Sequence, residues 1–330
     1  MSNTFLREKR IKNDIKHFIT GGYDSHGIYI IINDSDITNV KCLIIGPDGT
    51  PYENGFHLFD VNFPVNYPYS PPTVKYISQP HVRVNPNLYS NGKVCLSMLN
   101  TWNGPSWEPT LSLSKILITI QSILNDNPLQ NEPGFENVEL NNNTNNNTKA
   151  LNYRNIIKYF NIECSVLDII NKIPIGFEDF KETIDKYFIK NINKYKKYIE
   201  NELNYDTPTI YSTVYNMQKK INITHLKNTL NSTYEKLLIQ YPELSVTENN
   251  DISNNDVPDI LADTQINGES SSISISIAPI AKKKYIRQCP DELAKNFDVG
   301  YIQCSHNNKN YIVKEVSYKD KKIKRWCILK

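Results

Sequence analysis

The sequence predicts an α+β fold in which a four-stranded antiparallel meander is flanked by helices. The first observation is a series of β-rich runs between residues 27 and 77, separated by short connections such as Asp-Ser-Asp and Gly-Pro-Asp-Gly. Connections this short leave no room for crossover helices, so consecutive strands are expected to pair antiparallel. The second observation is helical periodicity on both sides of these runs, over residues 4–19 and about 111–124.

The first predicted helix, residues 4–19, is amphipathic and basic. Its apolar side chains fall roughly on one face, while Arg7, Lys9 and Arg10 occupy the other. Runs rich in β-forming residues then predict four strands, at residues 28–32, 41–45, 56–63 and 74–77. The second predicted helix follows the strands, and its apolar stripe is expected to be buried. The stripe consists of Leu113, Ile116, Leu117, Ile120 and Leu124.

The length of 330 residues indicates two domains and is ample for a packed core. We divide the chain into a core at 1–140, an Asn-rich loop at 141–149, a helical extension at 150–244, a flexible linker at 245–280 and a small basic β-rich module at 281–330. Periodicity within the extension predicts helices at 151–170 and 177–203 and two more between 207 and 241.

The stretch around Cys95 combines a candidate nucleophile with turn-forming residues. Cys95 follows Asn87 by eight positions, and Ser90, Asn91 and Gly92 between them favour a turn that would bring the two together. A thiolate can carry an acyl group as a thioester that stays reactive toward amines. A side-chain amide can stabilise the oxyanion that forms when an amine attacks. From these residues alone the alternative is an ordinary loop with a small cysteine in the core.

Several ordered motifs around this stretch resemble those of the ubiquitin-conjugating enzymes. They are IIGPDGTPYENG and FPVNYPYSPPTV before Cys95, and Trp-Glu-Pro, IQSIL and NEPGFE after it. In that family the catalytic cysteine lies eight residues after the Asn of a His-Pro-Asn motif. The phrase VRVNPNLYSNGKVCLSMLNTW is similar to the large hybrid enzymes that also act as their own ligases, in some of which the motif likewise begins with Asn. The resemblance covers roughly residues 1–203.

The resemblance implies roles for the residues of the cysteine loop. Cys95 would be the thioester-forming nucleophile and Asn87 the amide that stabilises the oxyanion. Asn85 stands where the family usually has a His that holds the loop, and Asn can make local hydrogen bonds of the same kind. Pro86 would support the loop by restricting the backbone around it.

The resemblance also assigns positions that face substrates and partners. The residue that orients the incoming lysine maps to Glu132 or to its neighbour Asn131. Tyr69 and Pro109 align with the two loop positions that dock ligases. A basic first helix contacts the activating enzyme in this family, although a solvated surface explains its basic face equally well. The residues concerned are Arg7, Lys9 and Arg10.

The function implied is that of a ubiquitin-conjugating enzyme, which accepts ubiquitin as a thioester from an activating enzyme and transfers it to substrate lysines, with or without a separate ligase. No cofactor is implied, because ATP is consumed in the activating step. Two alternatives stay open: conjugation of another ubiquitin-like modifier, and a non-catalytic ubiquitin-binding scaffold. Cys95 and Asn87 argue against the scaffold, whereas Asn85 in place of the usual His keeps it open.

Composition places broad limits on location and partners. The chain is 39% hydrophobic and 22% charged with a net charge of +2, which predicts a globular protein and gives no global argument for nucleic acid. Six cysteines without a recognisable signal peptide indicate free thiols in a reducing compartment, the cytoplasm or nucleus. No apolar stretch is long enough to span a bilayer, so no membrane association is expected.

The basic module at 281–330 has thirteen Lys or Arg against five Asp or Glu, a net charge of +8. Its charge and aromatic residues could bind nucleic acid. Its cysteines and histidine could hold zinc, but their spacing lacks paired Cys-x-x-Cys motifs, so no metal site is assigned. We favour a protein-interaction module that recruits substrate. The zinc candidates considered are Cys289, Cys304, His306 and Cys327.

Overall fold

The structure, a computed structural model, divides into two compact units, Met1–Ser253 and Asn254–Lys330. The expected linker at 245–280 lies outside the described residues. Those residues are 3–33, 36–77, 82–203, 208–244, 298–304, 310–318 and 321–328.

The first unit contains a four-stranded antiparallel sheet whose strands follow chain order. The register places Cys42 on the second strand opposite Ile30 on the first and Phe59 on the third. This confirms the predicted meander. The strands are β1 Ile28–Asn33, β2 Asp36–Ile45, β3 Phe56–Asn62 and β4 Thr73–Tyr76.

Two helices flank this sheet as predicted, α1 Asn3–Thr20 and α2 Leu113–Ile123. Ser112 caps α2 by accepting a hydrogen bond from the Lys115 amide, which explains why the helix begins there. The apolar stripe of α2 lies in the core, whereas that of α1 is buried only in part, with Phe5, Leu6 and Ile19 exposed. The buried members of the two stripes include Ile11, Ile15, Phe18, Leu113, Ile116, Leu117 and Ile120.

The next helix, α3 Asn145–Phe160, begins inside the Asn-rich segment at 141–149 that the sequence predicted to be a loop. The Thr144 hydroxyl accepts from the Asn147 amide at 3.1 Å, and the Asn147 side chain accepts from the Glu139 amide at 3.1 Å. These contacts make Asn147 part of a helix start, so the loop prediction was wrong for the second half of the segment. Composition identified low complexity but not the cap.

The helix does not stop at Phe160. It continues through a π-helical segment, Asn161–Asp168, into a short α4, Ile169–Asn171. The predicted helix at 177–203 is two helices, α5 Lys181–Lys190 and α6 Ile192–Glu202, which meet at Asn191.

The first of the two helices predicted between 207 and 241 is instead a β-hairpin. Its strands are β5 Thr209–Ser212 and β6 Met217–Lys220, paired antiparallel. Tyr215 and Asn216 at the turn have φ angles of 57° and 49°, which a right-handed helix cannot contain. The second prediction is confirmed as α7, Ile223–Gln240.

The extension packs directly on the core around the connection between β2 and β3. The Tyr187 and Tyr195 hydroxyls donate to the side-chain and backbone oxygens of Asn54 at 2.7 and 2.8 Å. The Asn161 amide donates to the Glu53 carbonyl at 3.0 Å. Core and extension therefore form one body, consistent with their place in a single compact unit.

In the second unit, strands β7 Ile302–Cys304, β8 Asn310–Tyr318 and β9 Lys321–Ile328 form an antiparallel sheet in chain order. A small β structure was predicted here. Two zinc candidates, Cys289 and His306, lie outside the described residues, so that hypothesis is not tested. Within the part of the chain that the structure describes, no group of three or more potential ligands surrounds a common point. No helix in the described ranges is both long and apolar enough to cross a membrane.

Candidate active site

The loop that carries Cys95 folds back on itself as the turn-forming residues predicted. The Cys95 amide donates to the Asn87 carbonyl at 2.8 Å, and the Asn87 side-chain amide donates to the Cys95 carbonyl at 2.7 Å. Between them the chain reverses at Gly92, whose φ of 88° suits glycine. The two residues singled out from the sequence are thus held together by reciprocal hydrogen bonds.

Asn85 anchors this loop from a fully buried position. Its amide nitrogen donates to the Tyr52 hydroxyl at 2.9 Å and to the Ile123 carbonyl at 2.8 Å, at the end of α2. Its side-chain oxygen accepts from the Asn87 backbone amide at 2.9 Å. One amide thereby ties the loop to two parts of the core.

The Cys95 thiol is sheltered, with 2% of the residue surface exposed. It donates a hydrogen bond to the Thr101 carbonyl at 2.9 Å. Burial raises the pKa of the Cys95 thiol, whereas the charge of Lys93 and a hydrogen bond from Tyr89 lower the same pKa. Because burial is the largest of these effects, the resting thiol is mainly protonated at neutral pH.

The Asn87 amide keeps part of its hydrogen-bonding capacity in reserve. A side-chain NH₂ group has two N–H donors, and the Cys95 carbonyl takes one of them. No hydrogen bond from the second N–H is seen among the described residues. Among the described residues, the buried Asn87 side-chain oxygen has no hydrogen-bond partner.

The structure separates the two candidates for orienting lysine. Asn131 donates to the Ile123 carbonyl at 3.1 Å and thus secures the end of α2. Glu132 instead accepts a 2.5 Å hydrogen bond from the Tyr215 hydroxyl, and its negative charge acts to raise the pKa of Cys95. Of the two candidates, Glu132 is thus the one whose charge influences the Cys95 thiol.

A set of side chains that the sequence did not reveal surrounds Arg83, which we call the Arg83 stack. The guanidinium lies between the rings of Tyr89 and Tyr215, at 3.8 and 4.0 Å from their centroids. It also donates to the Pro86 carbonyl at 2.7 Å. Tyr153 on α3 donates to the Arg83 carbonyl at 2.9 Å. Arg83 and Tyr89 lie within the cysteine-loop motif, but Tyr153 and Tyr215 come from distant parts of the chain, so no periodicity or motif joins the whole set.

The two candidate ligase positions are exposed, with Tyr69 at 79%. The Trp107 indole donates to the Pro68 carbonyl at 2.6 Å and so links the loops that carry Tyr69 and Pro109. Arg10 donates to the Pro109 carbonyl at 2.6 Å and braces the second loop.

The basic residues of α1 differ in their surroundings. Arg7 donates to the Phe63 carbonyl at 2.5 Å, and Arg10 is committed to the contact with Pro109. Lys9, by contrast, is exposed. Of the three proposed contacts to the activating enzyme, two side chains also serve the fold.

Comparison with known proteins assigns the chain to a family. A family model described as ubiquitin-conjugating enzyme matches residues 10–159, which include the whole cysteine loop. Ubiquitin-conjugating enzyme E2 Z of Xenopus tropicalis is 34% identical over 233 residues, which cover 67% of this chain and 74% of that protein. The Homo sapiens protein of the same name is 39% identical over 190 residues, which cover 57% of this chain and 51% of that one.

A further relative combines two activities in its name. The dual E2 ubiquitin-conjugating enzyme/E3 ubiquitin-protein ligase BIRC6 of Homo sapiens is 40% identical over 173 residues, or 50% of this chain and 3% of that protein. The chain spans about half the length of the human E2 Z. Its sheet, its helices and these similarities establish that the chain belongs to the ubiquitin-conjugating enzyme family.

Proposed function

We propose that Cys95 accepts ubiquitin as a thioester from an activating enzyme and then delivers it to a lysine amine of a protein substrate. The observation that carries this proposal is the reciprocal pair of hydrogen bonds that joins Cys95 to Asn87. It supports a nucleophile and an oxyanion donor held in one rigid loop, with the Glu132 carboxylate nearby.

Loading begins with loss of the Cys95 proton to solvent. The thiolate attacks the carbonyl carbon of the thioester on the activating enzyme, and a new C–S bond forms. The tetrahedral intermediate collapses with release of the activating enzyme's thiolate, so one thioester replaces another. The positive charge of Lys93 favours the Cys95 thiolate in this step.

Transfer reverses the role of Cys95, which becomes the leaving group. A neutral lysine amine attacks the thioester carbonyl, the C–N bond forms, and the C–S bond breaks with release of the Cys95 thiolate. The free N–H of Asn87 would stabilise the oxyanion between these events. Glu132 would orient the amine by accepting a hydrogen bond from one of its N–H groups, and the surplus amine proton passes to solvent.

Tyr69 and Pro109 provide the surface on which a ligase would dock, because they are exposed on two loops joined by Trp107. The extension supports a second route in which transfer needs no ligase. The measurement for that route is self-ubiquitination in the absence of any ligase. Unchanged self-ubiquitination by a folded chain that lacks residues 150–203 would contradict it.

The decisive test is a charging assay with purified protein, activating enzyme, ATP and ubiquitin, run on a gel with and without reducing agent. We expect a band shifted by one ubiquitin that collapses on reduction and is absent in Cys95→Ala. Cys327→Ala removes a thiol in the second unit and should charge normally. Folded protein that forms no thioester with ubiquitin or any ubiquitin-like modifier would overturn the proposal and favour a binding scaffold, which the burial of Cys95 would suit.

A further inference from the structure

The hairpin β5–β6 of the extension brings a side chain of its own to the active site. Tyr215 lies at its turn and donates a 2.5 Å hydrogen bond to a Glu132 side-chain oxygen, Oε2. The same ring covers the Arg83 guanidinium at 4.0 Å from its centroid. One tyrosine therefore touches both the carboxylate proposed to orient lysine and the cation that holds the cysteine loop.

The backbone of Tyr215 has a conformation that is rare for a residue other than glycine. Tyr215 has a φ of 57° and a ψ of 16°, a left-handed conformation that a tyrosine adopts at an energetic cost and a glycine adopts readily. Strain of this kind is typically found where a side chain has a task that the turn alone does not require.

The ring of Tyr215 is itself held in place. It packs edge-on against Tyr153 of α3, with ring centroids 5.5 Å apart and an interplanar angle of 73°. Tyr153 in turn donates to the Arg83 carbonyl at 2.9 Å. The ring of Tyr215 is thus packed from two sides, by Tyr153 and by Arg83, which restrains the position of its hydroxyl.

We propose that Tyr215 is a positioning residue for lysine transfer, which fixes the Glu132 carboxylate so that one oxygen faces the incoming amine. The hydroxyl holds Oε2, which leaves Oε1 to accept an N–H of the lysine. The Arg83 guanidinium beneath the ring holds the Pro86 carbonyl, so the carboxylate and the cysteine loop share one support. This inference rests on the proposed function, because it concerns the transfer step at Cys95.

A positioning role for Tyr215 predicts an effect on discharge onto lysine but not on charging or on discharge onto a thiol. Attack by an amine depends on an oriented N–H group, whereas discharge by a small thiol does not use the carboxylate in this way. Loss of the Tyr215 hydroxyl should therefore slow discharge onto lysine without slowing charging or discharge onto a thiol. A general loosening of the site would slow all three.

The experiment compares Tyr215→Phe, Glu132→Gln and the double variant with the full wild-type chain. Each protein is charged with ubiquitin, activating enzyme and ATP are removed, and single-turnover discharge is followed with free lysine and, separately, with 2-mercaptoethanol. Tyr215→Phe keeps the ring on Arg83 and removes only the hydroxyl. The matched control is Tyr241→Phe, which removes another tyrosine hydroxyl bonded to a carboxylate in the extension, that of Asp185 at 3.4 Å.

We expect Tyr215→Phe to slow lysine discharge about three- to tenfold. Charging and thiol discharge should be unchanged, and Tyr241→Phe should behave as wild type. The double variant should be no slower than Glu132→Gln, because the hydroxyl acts through that carboxylate. Wild-type lysine discharge by Tyr215→Phe, or additive effects in the double variant, would overturn the positioning role alone. Failure of the wild-type chain to form a thioester would overturn the proposed function, and this inference with it.

Discussion

Asn85 and Asn87 have identical side chains but make different contacts at the site. Asn85 donates both side-chain N–H groups to Tyr52 and Ile123 and accepts from the Asn87 backbone amide, contacts that hold the loop. Asn87 keeps one N–H beyond its bond to the Cys95 carbonyl. The contacts of Asn85 explain how an Asn holds the loop at the position where the resemblance places a His.

The first prediction concerns the spare donor of Asn87. Asn87→Ala should slow discharge of the thioester onto lysine by about a hundredfold, because the oxyanion loses its donor. Charging should be slowed much less, because a thiolate attacks a thioester more readily than a lysine amine does and depends less on stabilisation of the oxyanion. The measurement is single-turnover discharge with free lysine beside a charging time course. Equal slowing of both steps would mean that Asn87 serves only to hold the Cys95 backbone.

The second prediction follows from the raised pKa of the Cys95 thiol. Alkylation of Cys95 by iodoacetamide should rise about tenfold per pH unit between pH 6 and 8, because only the thiolate reacts. Lys93→Met should raise the pKa further and lower the rate at any fixed pH in this range, since Lys93 favours the anion. Lys115→Met, an exposed lysine on α2, is the matched control.

Peptide mass spectrometry distinguishes Cys95 from the other thiols in this experiment. Burial raises the pKa of Cys164 to about 12, so Cys164 should react far more slowly and serve as an internal reference. A rate at Cys95 that does not change with pH would contradict the raised pKa.

Among the elements, sequence patterns succeeded where a single periodicity dominated. Runs of β-forming residues between short connections gave the four strands of the core sheet, and helical spacing of apolar residues gave α1 and α2. The pattern of Ile210, Val214 and Met217 fits a helix equally well, yet these residues belong to a hairpin. Its turn depends on two left-handed residues, Tyr215 and Asn216, which no apolar pattern encodes.

In the candidate site, too, residues close together in the sequence were predicted, whereas residues that meet only in the folded chain were not. Cys95, Asn87 and Asn85 lie within eleven residues of sequence, and the motif revealed them. The Arg83 stack joins Tyr89 to Tyr153 and Tyr215, which meet only after the extension has packed on the core. Its assembly depends on tertiary packing, so it could not have been predicted from one sequence.

The third prediction concerns the ion pair between Lys158 on α3 and Glu202 on α6. The Lys158 side chain is 9% exposed, so Glu202→Gln leaves a buried cation without its partner and should lower the free energy of unfolding by about 1–2 kcal/mol. Lys158→Met removes the cation and should cost less, because an apolar side chain suits the site. Thermal unfolding of the two variants beside wild type tests this order.

The pH dependence of that pair has a definite sign. The hydrogen bond from Lys158 lowers the pKa of Glu202 in the folded protein. Its contribution to stability is therefore present above the unfolded pKa and is lost as pH falls through the folded pKa. The difference in melting temperature between wild type and Glu202→Gln should accordingly shrink below about pH 4.5. A constant difference down to pH 3 would contradict this origin.

At the scale of the whole molecule, the catalytic core and the extension cannot be treated as separable parts. The sequence suggested a boundary near residue 140, but Met1–Ser253 forms one compact unit. Contacts from Tyr187 and Tyr195 to Asn54 and from Tyr153 to Arg83 cross the proposed boundary. The extension thus completes both the core and the surroundings of Cys95.

The last prediction is that shortening the chain has opposite effects at the two boundaries. A chain ending at residue 253 keeps the whole first unit and should charge Cys95 and discharge onto free lysine as the full chain does. A chain ending at residue 140 exposes the apolar surface that α3 covers and should aggregate or charge poorly. If the basic module recruits substrates, the chain ending at 253 will lose activity on a protein substrate but not on free lysine. A soluble, monomeric chain ending at 140 that charges and also discharges onto free lysine at the full rate would show that the extension is an accessory, and would leave Tyr215 without a part in positioning Glu132.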